Sequence, residues 1–237
     1  MDAAARLTRF LADTGSDSKA DVTTRALVFH MLEAVAPRLY ATHGLAALHQ
    51  QALEQCARIA PQFDDVTDPD EAQAIVDAWY LRHVRGLKHP RPQAAALRAL
   101  LEHLEAAGNT VYAWLLGELA AKCGVDVRLT FSRADFKSPR VFEGYYLTHL
   151  VMLDTDYFTR PARHADAGDW ADAIAQLVPW LTRAPNPDLA GEVALCLRFF
   201  KRPEATAALA LVNGLEPGED VHQQATILMG MAFETAP

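Results

Sequence analysis

The run Asp68-Pro69-Asp70-Glu71 spells out the start of a helix. Its first acid can accept from free N–H groups, its proline suits the first turn, and its later acids complement the positive end of the helix. Asn186-Pro187-Asp188 repeats the device and Ser138-Pro139 follows it more loosely, while Gly44, Gly108, Gly124 and Gly214 stand where helices can stop. Between these marks apolar residues recur every three or four positions, as in Leu27, Met31, Val35 and Leu39. A chain punctuated in this way folds as short helices packed on one another. The expected class is all-α, with no substantial sheet.

Composition agrees, since alanine makes up about 18% of the 237 residues and there are only 12 glycines. The stripes predict about eleven helices, over 3–12, 20–42 with a kink at Pro37, 45–60, 70–87, 92–107, 110–123, 139–158, 169–183, 187–200, 203–213 and 220–234. Short links favour antiparallel hairpins, which a bundle, a solenoid and an α/α-toroid accommodate equally. The one strand-like stretch is Asp126-Val127-Arg128-Leu129-Thr130-Phe131; a lone strand builds no sheet, so it is read as part of a long connection, 124–138. The chain is then either one domain over 1–237 or two helical halves, 1–123 and 139–237, joined by that connection. Phe29-His30-Met31-Leu32-Glu33 and His149-Leu150-Val151-Met152-Leu153-Asp154 share too little to be an internal repeat.

The net charge of −8 excludes a nucleic-acid binder resting on a basic face, because counterion release needs clustered Lys and Arg. No apolar run reaches the ~18–20 residues of a membrane helix. The start, Met1-Asp2-Ala3-Ala4-Ala5-Arg6, lacks the basic and apolar regions of a secretory signal. Cys56, Cys123 and Cys196 are odd in number and widely spaced, so neither a disulfide framework nor a thiolate zinc site is expected. These points predict a cytoplasmic protein, and 17 Arg against 5 Lys, beside so much Ala, suit a GC-rich bacterial source.

Three motifs imitate known chemistry. Asp64-Asp65-Val66-Thr67-Asp68 is a DDxxD pattern, but Pro69 pushes Asp68 out of helical geometry and the cluster reads as a loop ending in a cap. Leu150-Val151-Met152-Leu153-Asp154-Thr155-Asp156 resembles the apolar-run-then-DxD start of haloacid-dehalogenase phosphatases, yet no βαβ pattern surrounds it. Glu219-Asp220-Val221-His222 is a single ExxH where a di-iron bundle needs two, plus two further glutamates.

The informative segment is 139–158. On one helix His149 and Asp156, seven residues apart, are nearly eclipsed, with Tyr145 a turn above His149. Polar groups on an apolar face must be either a satisfied network or a pocket, because burying them unpaired costs free energy. In the pocket reading His149 is the general acid or base, with Asp156 or another carboxylate orienting it. Later helices supply partners: Asp188, Glu192, Cys196 and Phe199 share one stripe, as do His222, Thr226, Met229 and Phe233. Asp188 also reads as a complement to its helix N-terminus, and His222 as a first-turn surface residue. The candidate catalytic set is Tyr145, His149, Asp156, Glu192 and His222.

Tyr146-x-Thr148-His149 with Thr155-Asp156-Tyr157, then Asp188-Leu189-x-x-Glu192 with Leu195-Cys196-Leu197-Arg198-Phe199, then His222 opening the last helix, resemble the ordered marks of an uncharacterised bacterial all-α family. The resemblance spans roughly 139–235. It implies a setting near natural-product or modified-peptide biosynthesis, and no activity.

Two functions compete. One is an acid–base enzyme tailoring a small polar metabolite by cyclisation, elimination or isomerisation, with no cofactor required; in its metal variant the two histidines and two carboxylates hold a mononuclear iron, manganese or zinc. The other is a non-catalytic scaffold that binds and stabilises a partner protein or a second copy of itself.

Overall fold

In the computed structural model the described residues are 3–13, 18–42, 44–88, 90–215 and 220–235. Met1 and Asp2 of the leader reading, Glu219 of the ExxH motif and the side chain of Phe233 lie outside them. Among the described residues there are thirteen α-helices, one short 3-10 turn and no sheet, so the fold is all-α. The helices are α1 (Ala3–Ala12), α2 (Lys19–Val35), α3 (Pro37–Thr42), α4 (Leu45–Cys56), α5 (Pro69–Val84), α6 (Ala94–Ala106) and α7 (Thr110–Lys122). After the 3-10 turn Arg133–Phe136 come α8 (Arg140–Thr155), α9 (Ala167–Ala175), α10 (Val178–Arg183), α11 (Pro187–Phe199), α12 (Ala205–Asn213) and α13 (Val221–Thr235). No helix among them is long and apolar enough to cross a membrane.

The punctuation acts as its chemistry requires. Asp68 caps α5, its carboxylate accepting from the Asp70 N–H at 3.1 Å, and Asn186 caps α11, accepting from the Leu189 N–H at 2.9 Å. Gly108 and Gly124 end α6 and α7 at φ +84°, a conformation that costs glycine little. Asp64 and Asp65 stand exposed in the turn before the α5 cap, and Leu150–Thr155 are helical, so both lookalike motifs are local structure.

Several predicted boundaries shift. The kink at Pro37 is a break, because α2 stops at Val35 and proline opens α3. The helix expected over 169–183 divides into α9 and α10, since Pro179 has no N–H to offer the Ala175 carbonyl. The helix expected to reach residue 158 ends at Thr155. There the threonine hydroxyl donates to the Val151 carbonyl at 2.7 Å and accepts from the Phe158 N–H at 2.9 Å, while Asp156, Tyr157 and Phe158 turn to φ +46°, +56° and +65°. The connection 124–138 forms no strand and ends in the 3-10 turn, whose Phe136 is buried edge-on against Trp114 at 5.6 Å.

The chain divides into two compact units, one of Met1–Gly15, Val28–Leu48 and Glu143–Pro237, the other of Ser16–Leu27 and His49–Phe142. In the second, α7 packs against α5 and α6. In the first, α11 is the central helix, touching α9, α10, α12 and α13, with α1 laid against α13. Every residue of α11 from Leu189 to Leu197 is buried. A helix surrounded on all sides is normally apolar throughout. Glu192 sits in the middle of this one.

Candidate functional site

The site lies within the first unit, where α8 and α13 each approach α11 closely. Small residues permit the approach. A Cβ on Gly144 would meet the Leu189 side chain at 2.5 Å, and one on Gly191 would meet the backbone and side chain of Thr226 at 2.7–2.8 Å. Each helix then contributes polar groups: Tyr145, Thr148 and His149 from α8, Asp188 and Glu192 from successive turns of α11, His222 and Thr226 from α13.

Glu192 is the hub, with a side chain only 1% exposed. Its Oε2 accepts from the Thr148 hydroxyl at 2.5 Å and lies 3.7 Å from His149 Nδ1. The same Thr148 oxygen is 3.1–3.2 Å from the Tyr145 and Gly144 carbonyls, but a hydroxyl has one proton and the nearby carboxylate is the stronger acceptor. The other carboxylate oxygen, Oε1, faces His222 Nε2 at 3.8 Å. His149 Nδ1 is also 2.8 Å from the Tyr145 carbonyl. A carbonyl only accepts, so Nδ1 carries a proton, and in the neutral ring the lone pair belongs to Nε2.

Asp188 completes the cluster. Its Oδ2 accepts from the Tyr145 hydroxyl at 2.9 Å, its Oδ1 accepts from the Thr226 hydroxyl at 3.0 Å, and His222 Nε2 lies 3.8 Å from that Oδ1. The Asp188 side chain is 18% exposed and that of His222 38%, so the cluster runs from a dry interior at Glu192 to solvent at His222.

The two carboxyls are pushed apart. Burial, reinforced by the Glu192 charge, holds Asp188 above the usual carboxylate range despite His222 and its two hydroxyl donors. Burial also works against the charge on Glu192, but His149, His222 and Thr148 together outweigh it and hold Glu192 below its ordinary value. Burial and the neighbouring Asp188 and Glu192 charges raise the Tyr145 phenol, which stays a neutral donor. Cys196, one turn beyond Glu192, is buried and raised as well, with its Sγ 3.8 Å from the Thr148 carbonyl.

Of the five residues expected from sequence, Tyr145, His149, Glu192 and His222 come together. Asp156 does not join them. It was expected to lie under His149 on a continuing helix, but α8 ends one residue earlier, and the Asp156 carboxylate pairs instead with Arg160 at 2.6 Å. Its place is taken by Asp188, which lies on the Glu192 stripe and, at the start of α11, also suits a complement to the helix end. Thr148 and Thr226 are the other members outside the candidate set; their signal in the sequence is that Thr148 adjoins His149 and Thr226 shares the His222 stripe. The ligand atoms of Asp188, Glu192 and His222 lie within 4.8 Å of one another, so these three, rather than the four named from sequence, could share a metal ion.

Comparison with protein-family models, with curated proteins and with solved structures finds no match to this chain.

Proposed function

We propose that this chain is an enzyme of acid–base chemistry, acting on a small polar molecule at the Tyr145, His149, Asp188, Glu192 and His222 cluster. The observation that carries the reading is Glu192, 1% exposed and set between two imidazoles, at 3.7 Å from His149 and 3.8 Å from His222. A packed helix needs no such array. A buried carboxylate between histidines, open to solvent at one end, is an arrangement suited to moving protons.

In this reading His149 is the proton-transfer group. Its Nδ1–H is tied to the Tyr145 carbonyl and backed by Glu192, which fixes the ring and leaves Nε2 as the basic nitrogen. Glu192 stabilises the imidazolium formed when Nε2 takes a proton. Asp188 and His222, nearer solvent, receive the polar end of the substrate, and Tyr145 fixes Asp188. The reaction class is redox-neutral proton transfer: a cyclisation, an elimination or an isomerisation. The resemblance of residues 139–235 to the uncharacterised bacterial family suggests specialised metabolism as the setting.

The test is incubation of the purified protein with a bacterial metabolite extract, followed by mass spectrometry. At least one small polar metabolite is expected to be consumed by the wild type and spared by His149→Asn and Glu192→Gln variants whose circular dichroism is unchanged. No consumption by the wild type, or equal consumption by both folded variants, overturns the reading.

A further inference from the structure

We infer that Asp188, Glu192 and His222 form a binding site for one divalent first-row transition-metal ion. The inference deepens the acid–base reading and rests on it for the role of the ion, though not for its binding.

The spacing of the donors is the first argument. His222 Nε2 stands 3.8 Å from both Asp188 Oδ1 and Glu192 Oε1, beyond hydrogen-bond length, although all three groups are polar and one is fully buried. A triangle with two sides of 3.8 Å and a third of at most 4.8 Å has its centre at most about 2.5 Å from each corner. Metal–oxygen and metal–nitrogen bonds in such sites are about 2.0–2.2 Å. The donors therefore surround a position at most a few tenths of an ångström wider than a bound ion requires. His222, partly exposed at the start of α13, can close that gap by a small rotation.

The second argument is how the carboxylates are held. Glu192 has Oε2 engaged by Thr148 on α8, which directs Oε1 to the common centre. Asp188 has Oδ2 engaged by Tyr145, which directs Oδ1 there. Hydrogen bonds to the far oxygen of each ligating carboxylate are the supporting contacts that metal sites use to orient their ligands. Thr226 also donates to Oδ1, which keeps a second lone pair for an ion.

The donor set selects the ion. Two carboxylates and one imidazole suit manganese, iron, cobalt or zinc, whereas magnesium and calcium favour all-oxygen sites. Three protein ligands leave further positions for a substrate oxygen. An ion there polarises a carbonyl or hydroxyl while His149, outside the ligand set, moves the proton.

The test is calorimetric titration of chelator-treated, dialysed protein with MnCl2, CoCl2 and ZnCl2, with MgCl2 and CaCl2 as controls. One equivalent of a transition metal per chain is expected to bind, at least tenfold more tightly than magnesium or calcium. His222→Ala and Glu192→Gln should each weaken it by at least about tenfold, while Asp156→Asn, whose carboxylate pairs with Arg160 outside the cluster, should bind within a few-fold of the wild type. Circular dichroism of the variants separates loss of a ligand from loss of the fold. No binding by the wild type, or undiminished binding by both folded ligand variants, overturns the site. Metabolite turnover that persists in chelator would leave the acid–base reading standing without the ion. Stoichiometric binding with no turnover would leave the ion without that reading.

Discussion

Glu192 Oε2 and the Thr148 hydroxyl lie 2.5 Å apart, joining the middle of α11 to α8 through a contact that neither helix needs for its own stability. The carboxylate is buried in the otherwise apolar stretch Leu189–Leu197, so its cost is offset only where each oxygen meets a donor or a positive charge. Thr148→Val keeps the shape and removes the donor. It is expected to destabilise the fold by about 1–3 kcal/mol in chemical denaturation. A change below about 0.5 kcal/mol would mean that the hydroxyl contributes nothing to holding Glu192.

Asp156 and Asp188 should behave oppositely, although sequence spacing favoured the former. Asp156 pairs with Arg160 just past the end of α8, a partly exposed ion pair worth at most about 1 kcal/mol. Asp156→Asn is expected to leave metabolite turnover and manganese binding within about twofold of the wild type. Asp188→Asn should lower both. Enzyme assay and calorimetry on the two variants decide between the positions, and a large loss of turnover in Asp156→Asn alone would reinstate it.

The glycines between the helices give a graded prediction. In Gly191→Ala the new methyl would meet Thr226 backbone at 2.7 Å, so α13 itself must move; in Gly144→Ala it would meet the ends of the Leu189 side chain, which can change rotamer. Gly191→Ala is expected to destabilise by about 1–3 kcal/mol and to weaken metal binding, since Thr226 supports Asp188. Gly144→Ala should cost less. Thermal melts of both variants, read beside calorimetry, test the order.

The buried thiols should make stability fall at alkaline pH. Burial raises Cys56 to about 12, with the Asp77 charge adding to it, and burial raises Cys123 to about 12 as well. Cys196 is raised in the same direction. In the unfolded chain these thiols ionise near their ordinary value, so above it the unfolded state binds fewer protons than the native state and stability falls as pH rises. The loss is about 1.4 kcal/mol per pH unit for each such thiol, spread between the unfolded and folded values. Denaturation midpoints measured from pH 7 to 10.5 should decline, and the decline should shrink in Cys56→Ala. At pH 8 a disulfide reagent should label the native protein slowly and the unfolded protein at once.

The helix starts at Asp68 and Asn186, the stops at Gly108 and Gly124, and the all-α class were legible in the chain because capping and glycine conformation are local, decided within about one turn. So was the presence of polar residues on apolar stripes, which singled out His149, Glu192 and His222. Tertiary packing decided what those residues face. Asp156 followed the helical period from His149, yet Thr155 turns the backbone into a left-handed run just before Asp156 would have joined that face. Asp188, read locally as a complement to its helix end, faces the centre because Gly191 lets α13 come close enough for His222 and Thr226 to reach it. Periodicity determines which side of a helix a residue occupies; only the distance and rotation between helices, set by side-chain volumes remote in sequence, decide which groups from different helices meet.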